Sequence, residues 1–96
     1  MKKITNKNKR IWYLYVVRCR DNSLYTGITL DVQRRISEHN GNTSRTSKYL
    51  KGKGPLQLEF QKKIGVKSKA LKLEYKIKKL PKSQKEMLIK GLLQIK

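Results

Sequence analysis

Residues Ile11 to Val17 (Ile-Trp-Tyr-Leu-Tyr-Val-Val) form the longest unbroken apolar and aromatic run in the chain. Seven residues cannot cross a bilayer, which needs about 20. No small-residue cleavage site follows, and Arg18 comes at once, so a secretory signal does not fit. The β-branched and aromatic content without alternation reads as a strand covered on both faces, hence the centre of a sheet. Asp21-Asn22-Ser23 supplies turn chemistry, and Leu24 to Ile28 reads as the returning strand of a hairpin. Gly27 inside that strand marks a place where a ligand or backbone comes close.

Further along, Asp31 can cap a short helix with apolar register Val32, Ile36 and His39, stopped by Asn40-Gly41. Residues 42–55 form a polar, basic loop without an acid. Leu56, Leu58 and Phe60 alternate with Gln57, Glu59 and Gln61, the pattern of a half-exposed third strand. From Val66 to Leu80, positions Ala70, Leu73, Ile77 and Leu80 recur at helical spacing, with Lys69, Lys72, Lys76 and Lys79 outside and Pro81 as the stop. Ser83 and Glu86 have the spacing of a capping box for a last helix. The order β, β, α, loop, β, α, α predicts an α+β fold with a three-stranded antiparallel sheet flanked by helices. Residues 1–10 read as a basic arm and 11–96 as one domain, since 96 residues leave no room for two.

Charge limits the partners. The chain has 25 Lys and Arg against 6 Asp and Glu, a net +19. Such an excess repels itself and is explained by a polyanion, nucleic acid before anionic lipid, because Lys and Arg occur from Lys2 to Lys96 rather than on one amphipathic helix. Hydrophobic residues make up 36%, below the roughly 45% of an average chain, so most of them are committed to a lean core. A lone Cys19 forbids an internal disulfide and fits a reducing cytoplasm. One His and one Cys leave no zinc site and no ordinary nucleophile and base pair.

What remains is a set of tyrosines, an arginine and few carboxylates. Arg35 shares a helix face with Val32, Ile36 and His39, whereas Arg34 points the other way. A guanidinium at the edge of a core needs an anion: a phosphate, or Glu38 in an ordinary ion pair. Glu74 borders the Ala70, Leu73, Ile77 stripe, where it could hold a metal or pair with Lys78 for about 0.2–0.5 kcal/mol. Tyr15 and Tyr25 lie on consecutive strands, and strand tyrosines are usually packing.

Tyr13-Leu14-Tyr15, then Tyr25-Thr26-Gly27, then Arg35 and Glu74, resemble the GIY-YIG nuclease superfamily, above all its small bacterial single-domain members. The resemblance spans residues 11–80. It implies a divalent metal, Mg²⁺ or Mn²⁺, and one-step hydrolysis of the DNA backbone. By position it implies that Tyr25 activates or positions water, beside Tyr15 of the first motif. It makes Arg35 the group that stabilises charge on the phosphate and Glu74 the metal ligand. His39 stands where some relatives carry a functional histidine, although its residues alone read as a polar group on a half-buried face. Arg34, Arg45, Lys48, Tyr49, Lys51 and Lys53 are the expected nucleic-acid contacts, with a solvated loop as the plainer reading. A base role for tyrosine, whose ordinary pKa is about 10, needs the positive charge that Arg35 and a metal supply.

The chain also departs from the pattern. Tyr13 replaces glycine in the first motif, Thr26 replaces isoleucine in the second, and no asparagine follows Asn42. The leading expectation is a metal-dependent endonuclease on DNA, branched or damaged, with RNA as a second polyanion and no membrane role. The alternatives are a nucleic-acid-binding module of the same fold without catalysis and a ribosome-associated basic protein.

Overall fold

The computed structural model describes residues 10–41 and 45–95. Nearly all of the expected arm, residues 1–9, and part of the basic loop, residues 42–44, lie outside the described residues. The elements run β1 (Trp12–Arg18), β2 (Leu24–Thr29), α1 (Val32–Asn40), a 3-10 turn (Lys48–Leu50), β3 (Gln57–Gly65), α2 (Lys67–Lys78) and α3 (Lys82–Ile89). The sheet is antiparallel in the order β2-β1-β3, so the apolar run is the central strand, as expected. Leu14, Tyr15, Val16 and Val17 are all buried, because the sheet is covered on both sides.

One face, with Tyr15, Val17, Val32, Leu50 and Leu56, packs beneath α1 and the 3-10 turn. The other, with Leu14, Val16, Ile77 and Leu88, packs beneath α2 and α3. Asp31 caps α1 by accepting the Arg34 N–H at 3.1 Å, a bond worth about 1 kcal/mol. Among the described residues no helix is long and apolar enough to cross a membrane.

Three local expectations change. Leu58 and Phe60 do not share a face. The register steps from Val16 opposite Phe60 to Val17 opposite Leu58, so Glu59 is an extra residue in a β-bulge. An extra residue in a period of two turns the following side chains over, and Phe60 packs under the helices while Leu58 packs on the opposite side. The strand also runs on to Gly65, past the alternating stretch. The Ser83–Glu86 capping box is not formed: Pro81 occupies the cap position, no side chain caps the helix, and Ser83 lies inside it. Glu86 is taken by Arg18, whose two terminal nitrogens donate to both its oxygens at 2.7 Å, while Arg18 Nε donates to Glu59 at 3.0 Å. Arg18 and Lys82 together hold the Glu86 carboxyl down to about 2. This cluster ties β1 to β3 and α3.

Candidate active site

The strand register creates the site. Tyr15 lies opposite Gly27 and Val17 opposite Tyr25, so the two tyrosines share one face as diagonal neighbours. Gly27 exists for Tyr15. A Cβ at position 27 would lie 2.5 Å from Tyr15 Oη and 2.6 Å from Cζ. The close approach anticipated at this glycine is thus made by a phenol ring within the protein.

Helix α1 covers this face and contributes His39 and Arg35. His39, only 2% exposed, stands with Nε2 3.1 Å from Tyr15 Oη. The Ser47 N–H donates to Nδ1 at 3.4 Å. That bond assigns the ring proton of the neutral imidazole to Nε2, which then donates to the tyrosine oxygen. Burial, helped by the nearby Arg35 charge and opposed by Glu38, pushes His39 down to about 4, so the ring is neutral near pH 7. Burial and the neighbouring Tyr25 push Tyr15 up to about 12 against the pull of Arg35. Tyr15 is therefore a protonated phenol at neutral pH.

Arg35 forms the plain ion pair considered above: Nη1 donates to Glu38 at 3.0 Å and to the Arg45 carbonyl at 2.8 Å. Its side chain is still 30% exposed and acts electrostatically on Tyr15. The guanidinium fork that holds Glu38 has the geometry to hold a phosphate in its place. Arg34 is exposed and turned outward, with Nε 4.0 Å from Glu38.

Tyr25 forms the mouth. Its ring meets His39 edge-on at 5.9 Å and stacks on Tyr49 at 5.7 Å and 20°. Lys53 Nζ sits 3.9 Å over the Tyr49 ring and 3.5 Å from Asp21. From the other side of the sheet edge, Lys78 Nζ reaches to 5.9 Å from the Tyr25 ring while pairing with Glu74 at 3.4 Å. The plainer partner of Glu74 is thus also present. Its charge nevertheless reaches Tyr15, which it disfavours ionising.

A cleft of about 380 Å³ lies here, lined by Tyr25, Thr26, Tyr49, Lys78 and Lys85. The sequence did not single out Lys78 or Lys85 as contacts. The only signal was the spacing of Lys78 from Glu74, and Lys85 had none. Thr26 Oγ1 is buried without a hydrogen-bond partner among the described residues.

The basic loop is anchored rather than merely solvated. Leu50 is buried in the core, Thr46 donates to the Glu38 carbonyl at 2.9 Å, and Asn40 accepts the Leu56 N–H at 2.7 Å. These ties set Tyr49 over Tyr25. Arg45, Lys48 and Lys51 are exposed along the same loop. The structure brings together Tyr15, Tyr25, Arg35, His39, Tyr49 and Lys53, with Glu74 at their edge, and leaves Arg34 facing away.

No group of three His, Cys, Asp or Glu side chains gathers as a metal cage among the described residues. Glu74, a half-buried carboxylate at the edge of the cleft, suits a hydrated Mg²⁺-type ion that draws its other ligands from water and substrate phosphate.

Known proteins are similar to this chain in sequence and in fold. The GIY-YIG catalytic domain family matches residues 11–87. A UPF0213 protein of Enterobacter sp. (strain 638) is 55% identical over 80 residues, 83% of this chain and 76% of that protein. The solution NMR structure of UPF0213 protein BH0048 from Bacillus halodurans aligns with TM-score 0.54 and 38% identity, covering 83% of each chain. That of EF2693 from E. faecalis aligns with TM-score 0.61 and 35% identity, covering 93% of this chain and 95% of the other.

Proposed function

Because the chain belongs to the GIY-YIG family, we propose that it is a divalent-metal-dependent endonuclease hydrolysing DNA phosphodiester bonds, with branched or damaged DNA as its substrate class. The observation that carries this reading is that Tyr15 feels the charges of Tyr25, Arg35 and Glu74, the four residues drawn from four separate elements, beside the cleft that Tyr25 lines.

A phosphate entering the cleft exchanges with Glu38 for the Arg35 guanidinium, which then faces the charge that grows on the phosphoryl oxygens. Tyr25 lies at the open mouth and is the group placed to orient water and accept its proton. Tyr15, held protonated and hydrogen-bonded to neutral His39, keeps the nucleophile side dry and positions its neighbour. Water oxygen forms the new P–O bond as its proton passes to the Tyr25 oxygen, which releases its own proton to solvent at the open mouth, and the bond to the leaving sugar oxygen breaks with that oxygen taking up a proton from solvent. A divalent ion at Glu74 supplies further charge neutralisation when bound. Tyr49, Lys53, Lys78 and Lys85 line the approach and suit the flanking backbone.

A second reading, a binding module without catalysis, draws support from Arg35 and Glu74 each being paired within the protein. Cleavage of end-labelled linear, flapped and four-way-junction DNA, with RNA alongside, separates the two. Wild type should cut, and folded Arg35→Ala should lose about 10²–10³ in rate, as loss of one charge-stabilising donor does. Tight, salt-sensitive binding by wild type without any cut would establish the binding module instead.

A further inference from the structure

We propose that a second groove, on the opposite flank of α2 from Glu74, holds an unpaired strand of the nucleic-acid substrate. The proposal rests on the nuclease reading for its substrate, and on a separate cavity for its site.

Helix α2 carries two stripes at i, i+3, i+4, i+7 spacing. Leu71, Glu74, Tyr75 and Lys78 run along the flank toward β2 and the candidate active site. Lys69, Lys72, Leu73 and Lys76 run along the other, toward β3. Between that flank and β3 lies a cavity of about 550 Å³, larger than the cleft at Tyr25. Its rim is Lys62, Lys63, Lys69, Lys72 and Lys76, all exposed, and its floor is Ile64, Leu73 and Ile95.

Among the described residues no carboxylate side chain lines the groove, and each acidic side chain has a partner elsewhere. The chain has six acidic residues. Asp21 faces Ser23 and Lys53, and Asp31 caps α1. Glu38 pairs with Arg35, Glu59 and Glu86 with Arg18, and Glu74 with Lys78. With no acidic side chain among its lining residues, this basic rim suits a polyanion.

The combination of rim and floor selects the ligand. A duplex presents phosphates on its outside and would leave the apolar floor unused. An unpaired strand lays its phosphates along a basic rim and turns base faces onto apolar side chains. The helix between the two sites is about 10 Å across, a distance that roughly three stacked nucleotides cover at about 3.4 Å each. One strand can therefore occupy the groove while its junction with a duplex lies at Tyr25, which makes a single-stranded arm a positioning feature of the substrate.

The test is fluorescence anisotropy with labelled oligothymidylate of about 12 nucleotides, within the range such grooves hold, beside a duplex of equal length. Lys69→Ala/Lys72→Ala is compared with wild type and with the charge-matched Lys79→Ala/Lys90→Ala. The groove variant should lose several-fold affinity for the single strand, with the slope of log K against log salt reduced by about 1.4, at about 0.7 per lysine. Its affinity for the duplex should change less, and the control should change neither. Equal losses in both variants, or equal losses on single strand and duplex, would overturn the proposal. Binding is read without cleavage, so a protein that cuts nothing still reports on the groove, and failure of the nuclease reading remains a separate result.

Discussion

Replacing Gly27 by alanine should destabilise the protein, although the usual rule points the other way. Glycine inside a strand is less stable than alanine by roughly 0.5–1 kcal/mol, so with open space the substitution would help. Here the new Cβ would lie 2.5 Å from Tyr15 Oη, 2.6 Å from Cζ and 3.0 Å from Cε2. Nonbonded carbons settle at about 3.5–4.0 Å, so the ring or the strand must move by about 1 Å. The ring has nowhere to go, since Tyr15 is 1% exposed and its oxygen is bound to buried His39. Overpacking of this kind costs about 1–3 kcal/mol, which for a domain of this size lowers Tm by roughly 5–20 °C. Thermal unfolding followed by circular dichroism measures it. Tyr15→Leu shortens the obstructing side chain, so in a double-mutant cycle it should recover much of the loss caused by Gly27→Ala. A Gly27→Ala protein as stable as wild type, or a cost untouched by Tyr15→Leu, would mean that the Tyr15 ring does not fill the space at position 27.

Two further outcomes follow from the same packing. Thr26→Val removes a buried hydroxyl without a partner and should raise stability by about 1 kcal/mol, read as a higher urea midpoint; a lower midpoint would mean that the hydroxyl is satisfied. His39 has a folded pKa of about 4 against an ordinary 6.5, so between those values the unfolded chain binds the proton that the folded one refuses. Its contribution is complete above pH 6.5 and declines as pH falls toward about 4. Urea midpoints measured across that window should show a steeper fall for wild type than for His39→Gln, and parallel profiles would refute the assignment.

The elements that could be read from the sequence are those set by local pattern. The run from Ile11 to Val17 is central because every one of its faces must be covered, and Asp31 caps α1 through a bond within three residues. What could not be read is whatever depends on pairing between distant segments. Alternation at Leu58 and Phe60 could not reveal that Glu59 is a bulge, because the extra residue is defined by β1 opposite it. Ser83 and Glu86 have capping-box spacing, but Arg18, 68 positions before Glu86, takes the glutamate.

In the site, helical spacing puts Arg35 and Glu74 beside apolar stripes, while their chemical roles, like those of Tyr15 and Tyr25, rest on the resemblance. The contact of Tyr15 with His39 and the stack of Tyr25 on Tyr49 arise only once register and loop anchoring are set. Thr26, where the family pattern has isoleucine, sits in a buried place whose hydroxyl finds no partner among the described residues.

If Glu74, Arg35 and the tyrosines form one phosphodiester-cleaving site, as proposed, the single-turnover cleavage rate of an end-labelled junction DNA by wild type and Glu74→Ala, each in Mg²⁺ and in EDTA, will show it. Wild type should cut in Mg²⁺ alone, and folded Glu74→Ala should cut at a rate lowered by at least about 10². Cleavage in EDTA, or a Glu74→Ala protein that cuts at the wild-type rate, would contradict it.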